Sequence, residues 1–207
     1  TDSTDVLFQN MHPDSMYYVQ ITDFLTCITR QDISITEPPV LAANVTDSSM
    51  VGCFGDNSGD ATVTPSGGTG GYTYNWEDAL GGTIGTNALV TGLSVGKFYV
   101  TVYDDNLCEA YDSVSITEPL APLTATFTDT TLSSCNASDG EVIITPAGGT
   151  EPYTYLWKDN VDATVGTDST LSNIAAGWYY ITVTDDNLCT YNDSIEMRDT
   201  SNLDITV

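Results

Sequence analysis

The chain has 207 residues, with 29 acidic side chains against four basic ones and a formal net charge of −25. That balance repels nucleic acid and anionic membrane surfaces, so neither is expected as a partner. Intrinsic disorder is disfavoured by 41% hydrophobic and 10% aromatic content, and no apolar run approaches the ~20 residues that span a bilayer, so no direct membrane insertion is expected in this segment.

Read in chain order, the elements repeat. Cys27, Cys108 and Cys189 stand 81 residues apart, as do Asp23, Asp104 and Asp185, and Tyr18, Tyr99 and Tyr180. A fixed period of this length marks tandem modules. With Pro38 and Pro119 as repeat ends, residues 1–41 form the second half of a module, 42–122 and 123–203 are complete modules, and 204–207 begin another. The acidity is spread evenly: six acids face Arg30 in the first stretch, ten face Lys97 in the second, and twelve face Lys158 and Arg198 in the third. Half a β-module cannot bury its own face, so either a longer polypeptide or a neighbouring subunit is expected to complete the first one.

Within the second module, alternating apolar segments bounded by Gly, Asn, Asp and Pro predict strands near 43–47, 60–65, 72–77, 87–92, 97–104 and 109–117. The third repeats them near 124–129, 141–146, 153–158, 169–174, 178–185 and 190–197. All of these are β, at the spacing of a sandwich. Alternation turns Phe98, Val100 and Val102 inward, with Tyr179, Ile181 and Val183 and, in the half-module, Tyr17, Val19 and Ile21. Tyr72, Tyr74 and Trp76 share one strand face, as do Tyr153, Tyr155 and Trp157, and a tryptophan anchoring the core is preferred to a ligand platform. The junctions Thr36-Glu37-Pro38-Pro39 and Thr117-Glu118-Pro119 are stiffened by proline, which predicts an extended, semi-rigid rod. The third junction, Arg198-Asp199-Thr200, lacks proline and is expected to be more flexible.

Each complete module holds two cysteines, and no Cys/His cluster of zinc spacing is present. Disulfides Cys53–Cys108 and Cys135–Cys189 are therefore expected, stapling the sandwich edge, with Cys27 paired outside the segment. A loop of about 55 residues closed in this way would contribute about 4 kcal/mol in the chain-entropy picture. An oxidising, extracellular location follows.

Asp104-Asp105 and Asp185-Asp186, each followed by Asn, sit between two strands. They are read first as turn formers, with a calcium site as the alternative; no other cofactor is expected. No histidine or distinctive nucleophile accompanies these carboxylates, so no catalytic residue is assigned and no enzymatic activity is expected. Gly67-Gly68-Thr69-Gly70-Gly71 lacks the helix and lysine of a phosphate loop and is read as a turn. Trp178 aligns with Lys97 and so faces outward beside Tyr180, where the pair could bind sugar, pack on a neighbouring subunit, or cover the sheet.

These residues resemble the SprB repeat, a module of very large surface proteins of gliding and other Bacteroidota. The resemblance is carried by Ser-Gly-Asp-Ala-Thr-Val-Thr-Pro-Ser-Gly-Gly-Thr at 58–69, Tyr-Thr-Tyr-Asn-Trp at 72–76, Gly-Lys-Phe-Tyr-Val-Thr-Val-Tyr-Asp-Asp-Asn-Leu-Cys at 96–108 and Val-Ser-Ile-Thr-Glu-Pro at 114–119. The third module repeats it with Pro146, Gly148, Gly149, Tyr153, Trp157, Gly177 and Cys189. The usual Gly before the last-strand Cys is replaced by Leu (Leu25, Leu107, Leu188). The resemblance implies tandem Ig-like β-sandwich modules, export by the type IX secretion route, and display as a cell-surface filament or adhesin that supports adhesion or gliding. Expected partners are neighbouring copies or repeats of the same protein and surface polysaccharide. The alternatives are spacer or carbohydrate-binding repeats of a secreted enzyme, and a self-assembling structural fibre. Asp-Ser/Thr motifs at Ser15, Ser113, Thr130, Ser169 and Ser194 look like the O-glycosylation acceptor pattern of Bacteroidota.

Overall fold

The computed structural model describes residues 11–135 and 137–200, and every regular element among them is a β-strand. β1 (Ser15–Thr22) and β2 (Ile28–Ile35) form an antiparallel hairpin. β3 (Ala42–Ser49), β4 (Gly59–Ser66) and β7 (Leu89–Leu93) form a three-stranded sheet in the order β3-β4-β7. Across the same core, β5 (Thr73–Glu77), β6 (Thr83–Gly85), β8 (Gly96–Tyr103) and β9 (Glu109–Ile116) form a four-stranded sheet in the order β6-β5-β8-β9.

The arrangement then recurs. β10 (Thr124–Thr131), β11 (Gly140–Ala147) and β14 (Thr170–Ile174) make the three-stranded sheet of a second sandwich. β12 (Thr154–Asp159), β13 (Thr164–Gly166), β15 (Gly177–Thr184) and β16 (Thr190–Met197) make its four-stranded sheet, ordered β13-β12-β15-β16. The proposed start of a further repeat at 204–207 lies outside the described residues.

The two-residue period drives this fold. Gly59, Ala61 and Val63 of β4 are buried, and Phe98, Val100 and Val102 of β8 face them across the core. Trp76 is fully buried at the centre, and its indole N–H donates to the Asn87 carbonyl at 3.0 Å, so the largest core side chain leaves no polar atom unpaired. Trp157 does the same in the second core, donating to the Asp168 carbonyl at 2.9 Å. Tyr72, Tyr74, Tyr153 and Tyr155 pack against these cores on the faces expected for them.

The six strands expected in each complete module are present, and their starts lie within two residues of expectation. β6 and β13 were not legible, because three residues of Thr-Ile-Gly and Thr-Val-Gly are too short to show a period. They form because β5 and β12 need a partner on their outer edges, with Trp76 opposite Gly85 and Trp157 opposite Gly166.

The β1–β2 hairpin corresponds to β8–β9, and among the described residues no strand is laid over its inner face. Ile21 is 63% exposed, whereas its counterpart Val102 is completely buried.

Candidate functional site

The chemistry of each sandwich is concentrated at its two ends. At the end where β8 turns into β9, the Asp104 carboxylate accepts three backbone N–H groups: Asn106 (2.9 Å), Cys108 (2.8 Å) and Thr69 (2.9 Å). The first two close the turn and the third ties it to the Gly67–Thr69 loop. Asp104 is only 3% exposed, so its charge is compensated by oriented dipoles rather than by water. The N–H of Thr69, opposed by partial desolvation and aided by those of Cys108 and Asn106, holds the Asp104 carboxyl below its ordinary range. A depressed folded-state value means that this stabilisation is present above the ordinary aspartate pKa and is lost as pH falls through the lower folded one.

Asp185 repeats the arrangement, accepting from Cys189 N at 2.9 Å and Thr150 N at 2.9 Å. Asp23 accepts from Leu25 N and Cys27 N in the half-module. Turn chemistry therefore describes what Asp104 and Asp185 do, while Asp105 and Asp186 stand exposed beside them. Among the described residues, no group of three or more His, Cys, Asp or Glu side chains is placed to hold a metal. EGTA is expected to leave the melting temperature unchanged, and a fall of several degrees would establish calcium at these turns.

The residue that completes each turn has a left-handed backbone: Thr26, Leu107 and Leu188 have φ of 66°, 61° and 65°. Thr26, rather than Leu25, therefore stands in the first module where Leu107 and Leu188 stand in the others. This geometry explains why glycine suits the position.

The Gly-Gly-Thr loops seat the inter-module linker. Gly68 N donates to the Pro39 carbonyl at 2.7 Å, and Gly149 N donates to the Ala121 carbonyl at 3.0 Å. Tyr72 and Tyr153 hydroxyls fix the same loops through the carbonyls of Gly67 and Gly148. Gly67 and Gly148 have φ of 71°, and a methyl on either would drive into the Val40 or Pro122 carbonyl oxygen. Gly148→Ala is expected to destabilise the second sandwich by more than about 1 kcal/mol, since both the dihedral and the backbone contact oppose it. Thermal denaturation beside Gly70→Ala, a glycine with open space around it, is the check.

The opposite end of the first sandwich carries the β3–β4 loop. Val51 N donates to Thr117 O (2.8 Å), Gly52 N to Ser58 Oγ (2.9 Å) and Gly55 N to Glu118 Oε2 (2.7 Å). The glutamate of the Thr-Glu-Pro junction thus holds this loop at the module boundary. There Cys53 forms a disulfide with Cys189 of the next sandwich, with Cα atoms 5.7 Å apart. The side-chain amide of Asn187 adds a hydrogen bond to the Gly52 carbonyl at 2.9 Å across the same junction.

This pairing corrects the expected bridges Cys53–Cys108 and Cys135–Cys189. Cys53 lies beside the end of β9 and Cys108 just before its start, and an eight-residue strand spans roughly 27 Å. A disulfide needs Cα atoms within about 7 Å. Cysteines at opposite poles of one module cannot meet, whereas the lower pole of one module meets the upper pole of the next. Cys27, Cys108 and Cys135 are exposed and outside this bridge. Partial desolvation, and then the Asp104 carboxylate, push the Cys108 thiol above its ordinary range.

Trp178 and Tyr180 lie on β15, 46% and 48% exposed, on the outward face expected for them. Of the candidate acceptor sites, Thr130 is exposed, while Ser15, Ser113, Ser169 and Ser194 are half-buried. The junctions read in the sequence as proline-stiffened linkers; that Glu118 holds the Cys53 loop against the next sandwich emerges only from the fold.

The model of the SprB repeat family matches residues 42–81 and 126–162, one stretch in each complete sandwich. No curated protein matches the chain significantly. Similar solved structures include the N-terminal eight Ig domains of Down syndrome cell adhesion molecule, at 12% identity and TM-score 0.40, covering 90% of this chain and 27% of that one. The extracellular domains 3–5 of Drosophila OTK match at 11% identity and TM-score 0.40, covering 91% and 72%. The BSP domain of a biofilm-associated protein matches at 15% identity and TM-score 0.29, covering 77% and 30%. The chain thus spans about a quarter of the first of these structures.

Proposed function

We propose that this chain, which carries two SprB repeats of a cell-surface family, is a stretch of a non-enzymatic extracellular filament or adhesin that supports surface attachment or gliding. The observation that carries this reading is the disulfide Cys53–Cys189, which joins successive SprB-matching sandwiches rather than closing either one. A bridge so placed resists bending and rotation between modules, a property useful to an elongated load-bearing chain. Proline linkers held by the Gly-Gly-Thr loops act in the same direction, so an extended rod is the expected shape. Repetition then multiplies weak contacts by raising their effective concentration.

Export by the type IX route fits the family and the disulfide. The exposed Trp178 and Tyr180 support contact with surface polysaccharide or with a neighbouring copy. Glycosylation at Thr130 is the modification the surface most readily accommodates, and intact-protein mass of the native material reads it directly. Antibody raised against residues 42–203 is expected to label intact source cells and to reduce their attachment to a surface. Labelling only after permeabilisation would overturn the cell-surface reading.

A further inference from the structure

The upper pole of the first sandwich carries the same elements that receive Cys53 at the upper pole of the second. Asn106 holds the Thr69 hydroxyl at 2.8 Å, as Asn187 holds that of Thr150 at 3.0 Å. Asp104 organises the Cys108 turn as Asp185 organises the Cys189 turn. The environments differ in one respect. Cys189 and Asn187 are partly covered by the Gly52–Cys53 loop, whereas Cys108 and Asn106 are exposed and border a cavity of about 300 Å³ that also touches Pro38, Pro39 and Gly68. Next to it, the β1–β2 hairpin presents Val19 and Ile21 on a face whose counterparts Val100 and Val102 are buried under β3, β4 and β7.

We infer that this pole is a docking site for the first three strands of an SprB repeat whose second half is residues 1–41, and that the β3–β4-type loop of those strands fills the cavity and forms a disulfide with Cys108. The incoming strands cover the hairpin, completing its sandwich, and their cysteine reaches across the junction as Cys53 does. The loop carbonyl equivalent to that of Gly52 accepts from Asn106. Each junction is then closed by one bridge between the early cysteine of one module and the late cysteine of the next. Forming it removes two protons and two electrons from two thiols. A low-molecular-weight disulfide accepts them and leaves as two thiols. This extends the tandem-repeat part of the proposed function and is independent of what the surface adheres to, so loss of the adhesion reading would leave it standing.

The test places a copy of residues 42–81 directly ahead of Thr1, which keeps the 81-residue register and supplies the first half of that module, and maps disulfides by mass spectrometry without reduction. The expected product links the copied Cys53 to Cys108 while Cys27 remains alkylatable. A link from the copied cysteine to Cys27, or full alkylation of Cys108, would overturn the inference. A second measurement keeps the test decisive if the added strands fail to fold. The chain of 207 residues is treated with a peptide of residues 48–58 whose cysteine carries a small thiol leaving group. Cys108 is expected to capture that peptide at least tenfold faster than Cys27 does, and Asn106→Ala should reduce the preference. Equal capture at Cys108 and Cys27, or the same rates with a scrambled peptide, would contradict the docking site.

Discussion

Trp76→Ala should split the melting transition of the chain in two. Trp76 is fully buried among Ala61, Val63, Val90 and Val100, and its removal deletes both that contact and the bond to the Asn87 carbonyl. Aromatic-to-alanine changes in a close-packed core cost about 3 to 5 kcal/mol. That is a large share of the roughly 5 to 15 kcal/mol that holds a domain folded. The second sandwich has its own core around Trp157 and should melt where it did before. Calorimetry of wild type and variant separates these outcomes: one low transition beside one unchanged transition is expected. A uniform shift of the whole profile would show that the two cores are a single cooperative unit.

Cys189→Ser is expected to produce its largest effect at the junction rather than in either core. An intramodular bridge would have constrained the unfolded chain of one sandwich, and breaking it would lower that module's stability by about 4 kcal/mol. Cys53–Cys189 instead ties two units that each possess a complete core, so what it restrains in the folded chain is the junction between them. What changes is their relative motion. With the bridge intact, backbone ¹⁵N relaxation should report one rotational correlation time for residues 42–116 and 124–197. In Cys189→Ser the two sets should diverge, because only the linker and weak polar contacts such as Asn187 to Gly52 remain. Unchanged tumbling together with a large fall in melting temperature would mean that the bridge stabilises a module and not the junction.

The contrast between these two variants also marks where sequence reasoning succeeds. Strand faces follow from a two-residue period, and it alone turns Trp76, Phe98, Val100 and Val102 into the core, because burial is a local consequence of alternation. Asp104 reads as a turn residue on the same local grounds. Its third hydrogen bond, to Thr69, was invisible because 35 residues separate the partners and only the fold brings them together. Disulfide connectivity fails for a stronger reason. Two cysteines per repeat suggest a closed pair, but four cysteines allow three connectivities, and sequence alone does not choose among them. The choice depends on which pole of a sandwich each cysteine occupies, and Cys53 and Cys108 occupy opposite poles. Glu118 offered a hint: a glutamate recurring before the junction proline reads as linker composition, yet here it accepts from Gly55 N and holds the cysteine loop in place.

Non-reducing peptide mapping of the oxidised 207-residue chain tests the central claim most directly, since the account rests on repeats linked through their junctions. After alkylation of remaining thiols and proteolysis, a single cross-linked species joining the Cys53 and Cys189 peptides is expected, with Cys108 recovered in alkylated form. Recovery of Cys53 linked to Cys108 and Cys135 linked to Cys189 would contradict it, leaving two separately stapled sandwiches with no covalent bridge between them.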